Sequence, residues 1–300
     1  MRALLRQVRR YAAVDATVLI TGETGVGKDA LARLLHTSGP RRREPFVTVD
    51  CQGLPDTLVE AEIFGHERGA FTDATVARAG RFEMAGGGTI YLDAVTGLNP
   101  AAQGALLRVV EERRITRLGG TVPIDVPARI IASAQAEVED AVRNGGFRAE
   151  LFHRLRVLPI QVPPLRERTE EILPLAARFM EVTSARLARP APAIGLDAQD
   201  ALLRYHWPGN VRELQHVVER VLLTGVGDTI TAAALPLDVL EGNESYLAPA
   251  ADTRPTLEDV ERRYIELTLQ YAKGNQTRAA AILGISRKAL WEKRKRYGLR

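Results

Sequence analysis

Between residues 14 and 165, short β-branched and apolar runs alternate with stretches whose apolar side chains recur at helical spacing. That alternation predicts an α/β domain built on a parallel sheet. The predicted strands are 16–21, Phe46–Asp50, Thr89–Asp93, 129–133 and 158–162, and four of the five end beside polar or Gly-rich turns. From about 168 to 240 the spacing becomes helical, broken by Pro174, Pro190, Pro192 and Trp207-Pro208-Gly209, which predicts a small all-helical subdomain. Residues 241–255 contain two prolines and few large apolar side chains and read as a linker. Beyond it, Thr256 to Asp259 has capping-box spacing, and Leu257, Val260, Tyr264 and Leu267 fall at helical intervals. The divisions expected are therefore 1–168, 169–240, 241–255 and 256–300.

Composition narrows the class. At 45% hydrophobic and 26% charged residues, the 300-residue chain lies far from disordered, collagen-like or disulfide-scaffold compositions. Its one cysteine, Cys51, cannot form an internal disulfide, which fits a reducing compartment, and it is expected to be a small buried hydrophobe. No apolar run approaches 18 residues, and MRALLRQVRR lacks the apolar core of a signal peptide, so a cytoplasmic protein without a membrane partner is expected. Charge is uneven along the chain. Residues 277–300 hold eight Lys and Arg against Glu292, a net +7, which leaves −3 for the rest of a chain whose total is +4. A basic block confined to one end points to a module that meets a polyanion. Arg41-Arg42-Arg43 is expected to be a solvated loop, and His66 and His153, which lack metal-ligand spacing, are expected to be structural.

The first predicted strand runs into GETGVGKD, residues 22–29, and then into an apolar helix. Gly22, Gly25 and Gly27 let the backbone curl so that the N–H groups of Glu23, Thr24, Val26 and their neighbours face one anion, and Lys28 reaches the outer phosphates. Asp29 stands where the general pattern has Ser or Thr to hold magnesium, so metal must be held through other groups. GGGTIYLDAV supplies a strand ending in Asp93, the acid expected to orient Mg2+. The next position, where an acid polarises the attacking water, is Ala94, and a methyl group can do neither part of that work.

At this point the residues resemble the AAA+ bacterial enhancer-binding proteins, the activators of sigma-54 RNA polymerase, over essentially the whole chain. FGHERGAFTDA (64–74) is similar to the family's FGHEKGAFTGA loop, which implies sigma-54 contact through Gly69, Ala70, Phe71, Thr72, Asp73 and Ala74. Phe71 reads as an exposed aromatic, and Asp73 departs from the family's Gly. FRAELFHRLRVLPIQVPPLRER (147–168) resembles the segment that supplies arginine fingers, with Arg148 and Arg154 at the matching positions; WPGNVREL (207–214) resembles the sensor II motif, with Arg212 on nucleotide. Asp50 stands where the family has Asn, and Ala134-Gln135 where it has Thr-Asn. Two ideas stay open: the site binds ATP and barely turns it over, or Asp50 partly replaces the missing acid.

NQTRAAAILGISRKALWEKRKRYGL (275–299) reads as helix, turn at Gly284-Ile285, and a second helix N-capped by Ser286. It resembles a Fis-type helix-turn-helix. Ala280, Ile282, Leu283, Ile285 and Leu290 are expected to form its core, leaving Ser286, Arg287, Lys288, Trp291, Lys293 and Arg294 as DNA-contact candidates, with Trp291 equally placed for the core. Helix 256–271 is the candidate for pairing two such modules. The resemblance thus implies an AAA+ P-loop core with a parallel sheet, a helical lid and an all-α DNA-binding domain. It further implies ATP and Mg2+ in a hexameric ring, with upstream DNA and sigma-54 RNA polymerase as partners. The sequence begins almost directly at the ATPase core, so the N-terminal sensory domain common in the family is not expected ahead of it. The rival reading is an ATP-binding, hydrolysis-deficient DNA-binding regulator in which nucleotide only sets oligomeric state.

Overall fold

The computed structural model describes residues 2–297 apart from 54, 56–57, 73, 226, 242–257, 259–260, 263, 266–267 and 270–274. The chain divides into two compact units, Met1–Pro236 and Leu237–Arg300.

In the first unit, β1 (Val18–Thr21), β2 (Phe46–Asp50), β3 (Thr89–Asp93), β4 (Arg129–Ala134) and β5 (Leu158–Gln161) form one sheet in the order β2-β3-β4-β1-β5. Every neighbouring pair is parallel, so each connection crosses over and both faces are covered by helices. Successive side chains leave a strand on opposite faces. Val18, Ile20, Tyr91, Ile131 and Ile160 accordingly meet Leu31 and Leu35 of helix Lys28–Thr37 and Val8 of helix Arg2–Ala12. Leu19, Ile90, Leu92 and Ile130 enter the opposite core, against Leu106 of helix Pro100–Glu112 and Leu151 of helix Ala149–Leu155. Strand ends sit within two residues of those expected from sequence. Cys51 is buried, and its burial pushes the thiol up to about 12.

Arg41 departs from the solvated loop expected of it. Its guanidinium donates to the carbonyls of Gly87, Gly88 and Pro127 and pairs with Asp15, because the turns here present several carbonyls to one side chain. Buried Arg129 does the same for the end of helix Arg2–Ala12, donating to Tyr11 and Ala12 carbonyls at 2.6 and 3.1 Å.

The lid comprises helices Ile172–Arg186, Leu196–Arg204 and Asn210–Leu223, with one two-residue parallel pairing of Ala193–Ile194 and Thr229–Ile230. Its centre is Trp207, 0% exposed, whose indole N–H donates to the Leu202 carbonyl at 2.9 Å and whose ring packs edge-on against Tyr205.

The second unit holds helices Leu237–Glu241, Gln276–Ile282 and Arg287–Tyr297, and buries Ile265, Leu269, Ala279, Ala280 and Leu290. Leu283 and Ile285 pack partly against that core. Ile282, expected inside, is exposed, because the short first helix turns Ala279, Ala280 and Leu283 inward and carries Ile282 off that face. Gly284 takes φ +66 in the turn, a left-handed conformation that L side chains seldom adopt, and Ile285 N–H closes the turn on the Ala280 carbonyl. The linker at 242–255, the capping box that starts at Thr256 and much of the 256–271 pairing helix lie outside the described residues. Among the described residues no helix is long and apolar enough to cross a membrane.

Candidate functional site

All five strands run the same way, so the loops after β1, β2, β3 and β4 open on one edge of the sheet, the edge where open α/β sheets hold their ligands. There they line a cleft of about 850 Å³ with Lys28, Asp29, Asp50, Asp93, Ala94 and Gln135. The 22–29 loop leaves β1 at Gly22 and enters helix Lys28–Thr37 through Gly27, which sits at the N-cap in the left-handed region. Helix thus begins two residues before the apolar run at Ala30, since Gly27 lets the backbone turn there. Lys28 donates to the carbonyls of Gly22 and Glu23 at 2.8 and 2.9 Å, and its ammonium is held below the usual lysine range by burial, partly offset by Asp93.

Register explains the acidic side of the cleft. Asp50 pairs with Asp93 across β2 and β3, and Leu92 pairs with Ala132, which brings Asp93 beside Ser133. Ser133 and Tyr91 hydroxyls both donate to Asp93 Oδ1, and Ser133 Oγ accepts the Ala94 N–H at 2.9 Å. Burial raises the Tyr91 hydroxyl well above its ordinary pKa, so it remains a donor. Ala94 lies in the left-handed region at φ 55, a conformation that costs a non-glycine residue about 1–2 kcal/mol and is held here by that Ser133 contact. Asp50 Oδ1 accepts the N–H groups of Gln52 and Gly53 at 3.0 and 3.1 Å, tying the carboxylate to its own loop. Among the described residues no three His, Cys, Asp or Glu side chains cluster as a metal site.

The lid closes the cleft from the other side with Arg212, Val211 and Phe179. Its helix Asn210–Leu223 begins on the loop itself, where Val211 and Arg212 N–H groups donate to the Gly25 carbonyl at 3.0 and 3.3 Å. Buried Arg168 donates to the Val26 carbonyl at 2.7 Å, and Asn210 Nδ2 donates to the Thr24 carbonyl and to Glu23 Oε2. Arg166 grips the Glu23 carboxylate with two N–H groups, and that contact holds Glu23 below the usual carboxylate range. Gly25 sits at φ +79, and a Cβ built there would lie 2.3 Å from the Gly209 carbonyl oxygen. Gly25→Ala is therefore expected to displace the lid helix and destabilise the first unit by at least about 1–2 kcal/mol, measured by urea denaturation.

Arg148 and Arg154 stand away from this cleft. Arg148 sits at the N-cap of helix Ala149–Leu155 with its N–H on Gln103 Oε1, and Arg154 pairs with Glu111 at 2.9 Å on the exposed side of that helix. Ser133, Tyr91, Arg166, Arg168 and Asn210 are the site residues that sequence reading missed. The register of β3 and β4 is the one signal that finds Ser133; Tyr91, Arg166, Arg168 and Asn210 each lie inside a motif string quoted above, but the strings do not show which atoms they hold.

The 64–74 segment follows helix Val59–Phe64 and forms a two-residue pairing of Gly65–His66 with Arg78–Ala79. Gly69 N–H donates to the Ala74 carbonyl at 2.8 Å, and Ala74 is buried while Thr72 is exposed. Phe71, expected on the outside, is half-buried with its ring 5.0 Å from the His66 ring, because the tight loop folds it back over that imidazole. Asp73 lies outside the described residues. Leu118 exchanges backbone hydrogen bonds with Gly65 and Glu67, and Arg117 pairs with Glu67 and Glu83, which hold the Arg117 guanidinium above its ordinary pKa.

In the second unit Ser286 Oγ accepts the Ala289 N–H, as an N-cap does. Arg287, Lys288 and Trp291 are exposed, the last at 56%, which settles its place outside the core. Lys293 and Arg294 are half-buried. Lys293 is drawn into an ion pair with Glu261, whose other oxygen accepts the Tyr297 hydroxyl, so this candidate contact is partly committed within the unit.

Three family comparisons cover the chain. Residues 1–161 match the sigma-54 interaction domain, 166–251 the AAA+ ATPase lid domain, and 256–297 the bacterial regulatory protein family of Fis type. The chain is 44% identical to the nitric oxide reductase transcription regulator NorR1 of Cupriavidus necator, over 98% of its own length and 62% of that protein's. It is 41% identical to the DNA-binding transcriptional regulator NtrC of Azospirillum brasilense, over 98% and 67%. It thus spans about 62–67% of the length of these relatives. Among solved structures, NtrX from Brucella abortus in complex with ATP superposes with a TM-score of 0.73 at 33% identity, covering 100% of this chain and 68% of that one.

Proposed function

The chain belongs to the sigma-54 interaction domain family, and from that premise we propose that it is a transcription regulator that binds upstream DNA, binds ATP in the cleft above and remodels sigma-54 RNA polymerase as a hexameric ring. The observation that carries this reading is the convergence of Lys28, Asp93, Gln135 and Arg212 on one cleft while Arg148 and Arg154 stand off it. Residues that read nucleotide within one subunit face inward, and arginines suited to a neighbour's nucleotide are presented outward.

In this reading the loop N–H groups and Lys28 bind the β and γ phosphates, and Arg212 brings the lid onto them. A neighbour's Arg148 and Arg154 meet the charge that develops in phosphoryl transfer. Asp93 fits a magnesium site: its Oδ1 is fixed by two hydroxyls, and a hard cation needs only one or two carboxylates beside phosphate oxygens and water. Bound there, Mg2+ would neutralise phosphate charge. The boundaries of the work follow the expected divisions, with 1–168 as ATP-binding core, 169–240 as lid, 241–255 as linker and 256–300 as DNA-binding domain. The 69–74 loop, Phe71 and Thr72 foremost, is the sigma-54 contact.

Arg287, Lys288 and Trp291 stand exposed on the second helix and serve DNA, with Ser286 capping it and Arg294 beside them. Arg287→Ala is expected to weaken DNA binding at all sequences and to lower the slope of log K against log salt by about 1 if Arg287 meets phosphate. Binding titrations at several salt concentrations read this out.

Ala94 supports a second reading, in which nucleotide sets oligomeric state and hydrolysis is vestigial. Steady-state ATP hydrolysis over a series of protein concentrations, with and without upstream DNA, separates the two. Turnover per subunit that climbs cooperatively with concentration and is lost in Arg148→Ala supports the ring. Bound ATP with no turnover at any concentration supports the second reading. Loss of residual turnover in Asp50→Asn would assign Asp50 the missing acid's place.

A further inference from the structure

A trans peptide is a rigid plane in which the C=O of one residue and the N–H of the next point in opposite directions. Fixing three consecutive carbonyls therefore fixes the direction of three consecutive N–H groups. In the 22–29 loop the carbonyls of Thr24, Gly25 and Val26 are each held by a donor from the lid or the segment leading into it: Asn210 Nδ2 at 3.1 Å, Val211 N–H at 3.0 Å and Arg168 Nη2 at 2.7 Å. The N–H groups turned the opposite way are those of Gly25, Val26 and Gly27. These are among the donors on which phosphate recognition by such a loop depends.

Asn210 is the hub of this arrangement. Its side chain is fully buried, and its backbone takes the left-handed φ of 53. Asn210 Oδ1 accepts the Leu165 N–H at 2.7 Å, and Nδ2 is shared between the Thr24 carbonyl and Glu23 Oε2 at 3.0 Å. Arg166 holds the same Glu23 carboxylate from outside. One amide thus connects the entry to the lid, the first turn of the lid helix and the phosphate loop.

We infer that Asn210 is a positioning residue for nucleotide binding, which converts lid docking into the orientation of the loop's N–H groups, so that lid docking and nucleotide affinity are reciprocally coupled. This rests on the nucleotide reading of the cleft and adds its regulation. Whatever lifts the lid loosens the nucleotide, and bound nucleotide draws the lid down, since coupling between two equilibria acts equally in both directions.

Asn210→Asp tests it. Asp tolerates the left-handed conformation and keeps the acceptor for Leu165, but it turns an oxygen toward the Glu23 carboxylate and the Thr24 carbonyl. The Kd for a fluorescent ADP analogue is expected to rise at least tenfold. Adding Glu23→Gln, whose amide can donate to the new carboxylate, is expected to recover a substantial part of that loss. Hydrogen exchange at Val211 and Arg212, whose N–H groups rest on Gly25, is expected to be slowed by ADP in the wild type and less so in the variant. A folded Asn210→Asp with wild-type Kd, or a loss that Glu23→Gln leaves untouched, overturns the inference. Should Asn210→Asp fail to fold, Arg166→Glu at the exposed rim repels Glu23 from the same seat; a threefold or larger loss of affinity is expected, and an unchanged Kd overturns the inference. Lys28→Ala separates this from the parent reading: if wild type and Lys28→Ala bind the analogue alike, the nucleotide site itself is wrong, and if they differ while the other variants match wild type, the positioning role alone is wrong.

Discussion

Ala94→Glu is expected to raise steady-state ATP turnover by roughly 10²–10⁴-fold, the usual contribution of a positioned general base, with little change in ATP affinity. Lys28, Asp93 and Arg212, the residues proposed for phosphate and metal, already face the cleft, and two hydroxyls fix Asp93. What it lacks is a carboxylate at the position following Asp93. Ala94 lines the cleft, and its backbone is pinned by Ser133, so a glutamate grafted there inherits a fixed origin and points into the same space. The left-handed backbone at this position is already borne by a residue with a Cβ, so the longer side chain adds little strain. Measuring kcat and Kd separately for both proteins decides the matter. Equal turnover in the two would mean that the acid's work is done elsewhere, and Asp50→Asn is the next variant to compare.

Trp207→Ala is expected to destabilise the first unit by about 3–5 kcal/mol, the range for truncating a fully buried large aromatic. Trp207 is the largest fully buried side chain in the molecule's described part. Its indole also satisfies the Leu202 carbonyl, which truncation would strand, and its ring braces Tyr205, whose hydroxyl donates to Glu213 on the helix that carries Arg212. The loss is therefore expected to reach the proposed nucleotide cleft as well as the core. Denaturant unfolding is expected to show the lower midpoint, and nucleotide titration under native conditions a weaker Kd. A variant as stable as wild type would show that the lid does not depend on this side chain.

Much of the sheet was legible because parallel strands buried on both faces read as apolar runs, and the loop after β1 announces itself through glycines that serve a local purpose. Lys28, Asp93 and Arg212 could be named from such strings. The residues that orient them could not, because Ser133, Arg168 and Asn210 act through contacts made across strand register or across 142 to 187 positions of chain. Phe71 looked exposed because small residues flank it, yet the same small residues allow the fold-back onto His66. Ile282 was misplaced for a similar reason: a seven-residue helix leaves its inward face to be chosen by what packs against it, here Ile265 and Leu269. Arg41 shows the converse, a charge that sequence assigns to solvent and that clustered turn carbonyls recruit.

The central claim, that nucleotide in this cleft drives the 69–74 loop against sigma-54 polymerase, is met most directly by promoter opening in a purified system containing sigma-54 RNA polymerase, a sigma-54 promoter with an upstream site, and this protein. The account predicts opening that requires ATP and disappears in both Lys28→Ala and Phe71→Ala while DNA binding persists. Opening that proceeds equally without ATP, or that survives Phe71→Ala unchanged, would contradict it.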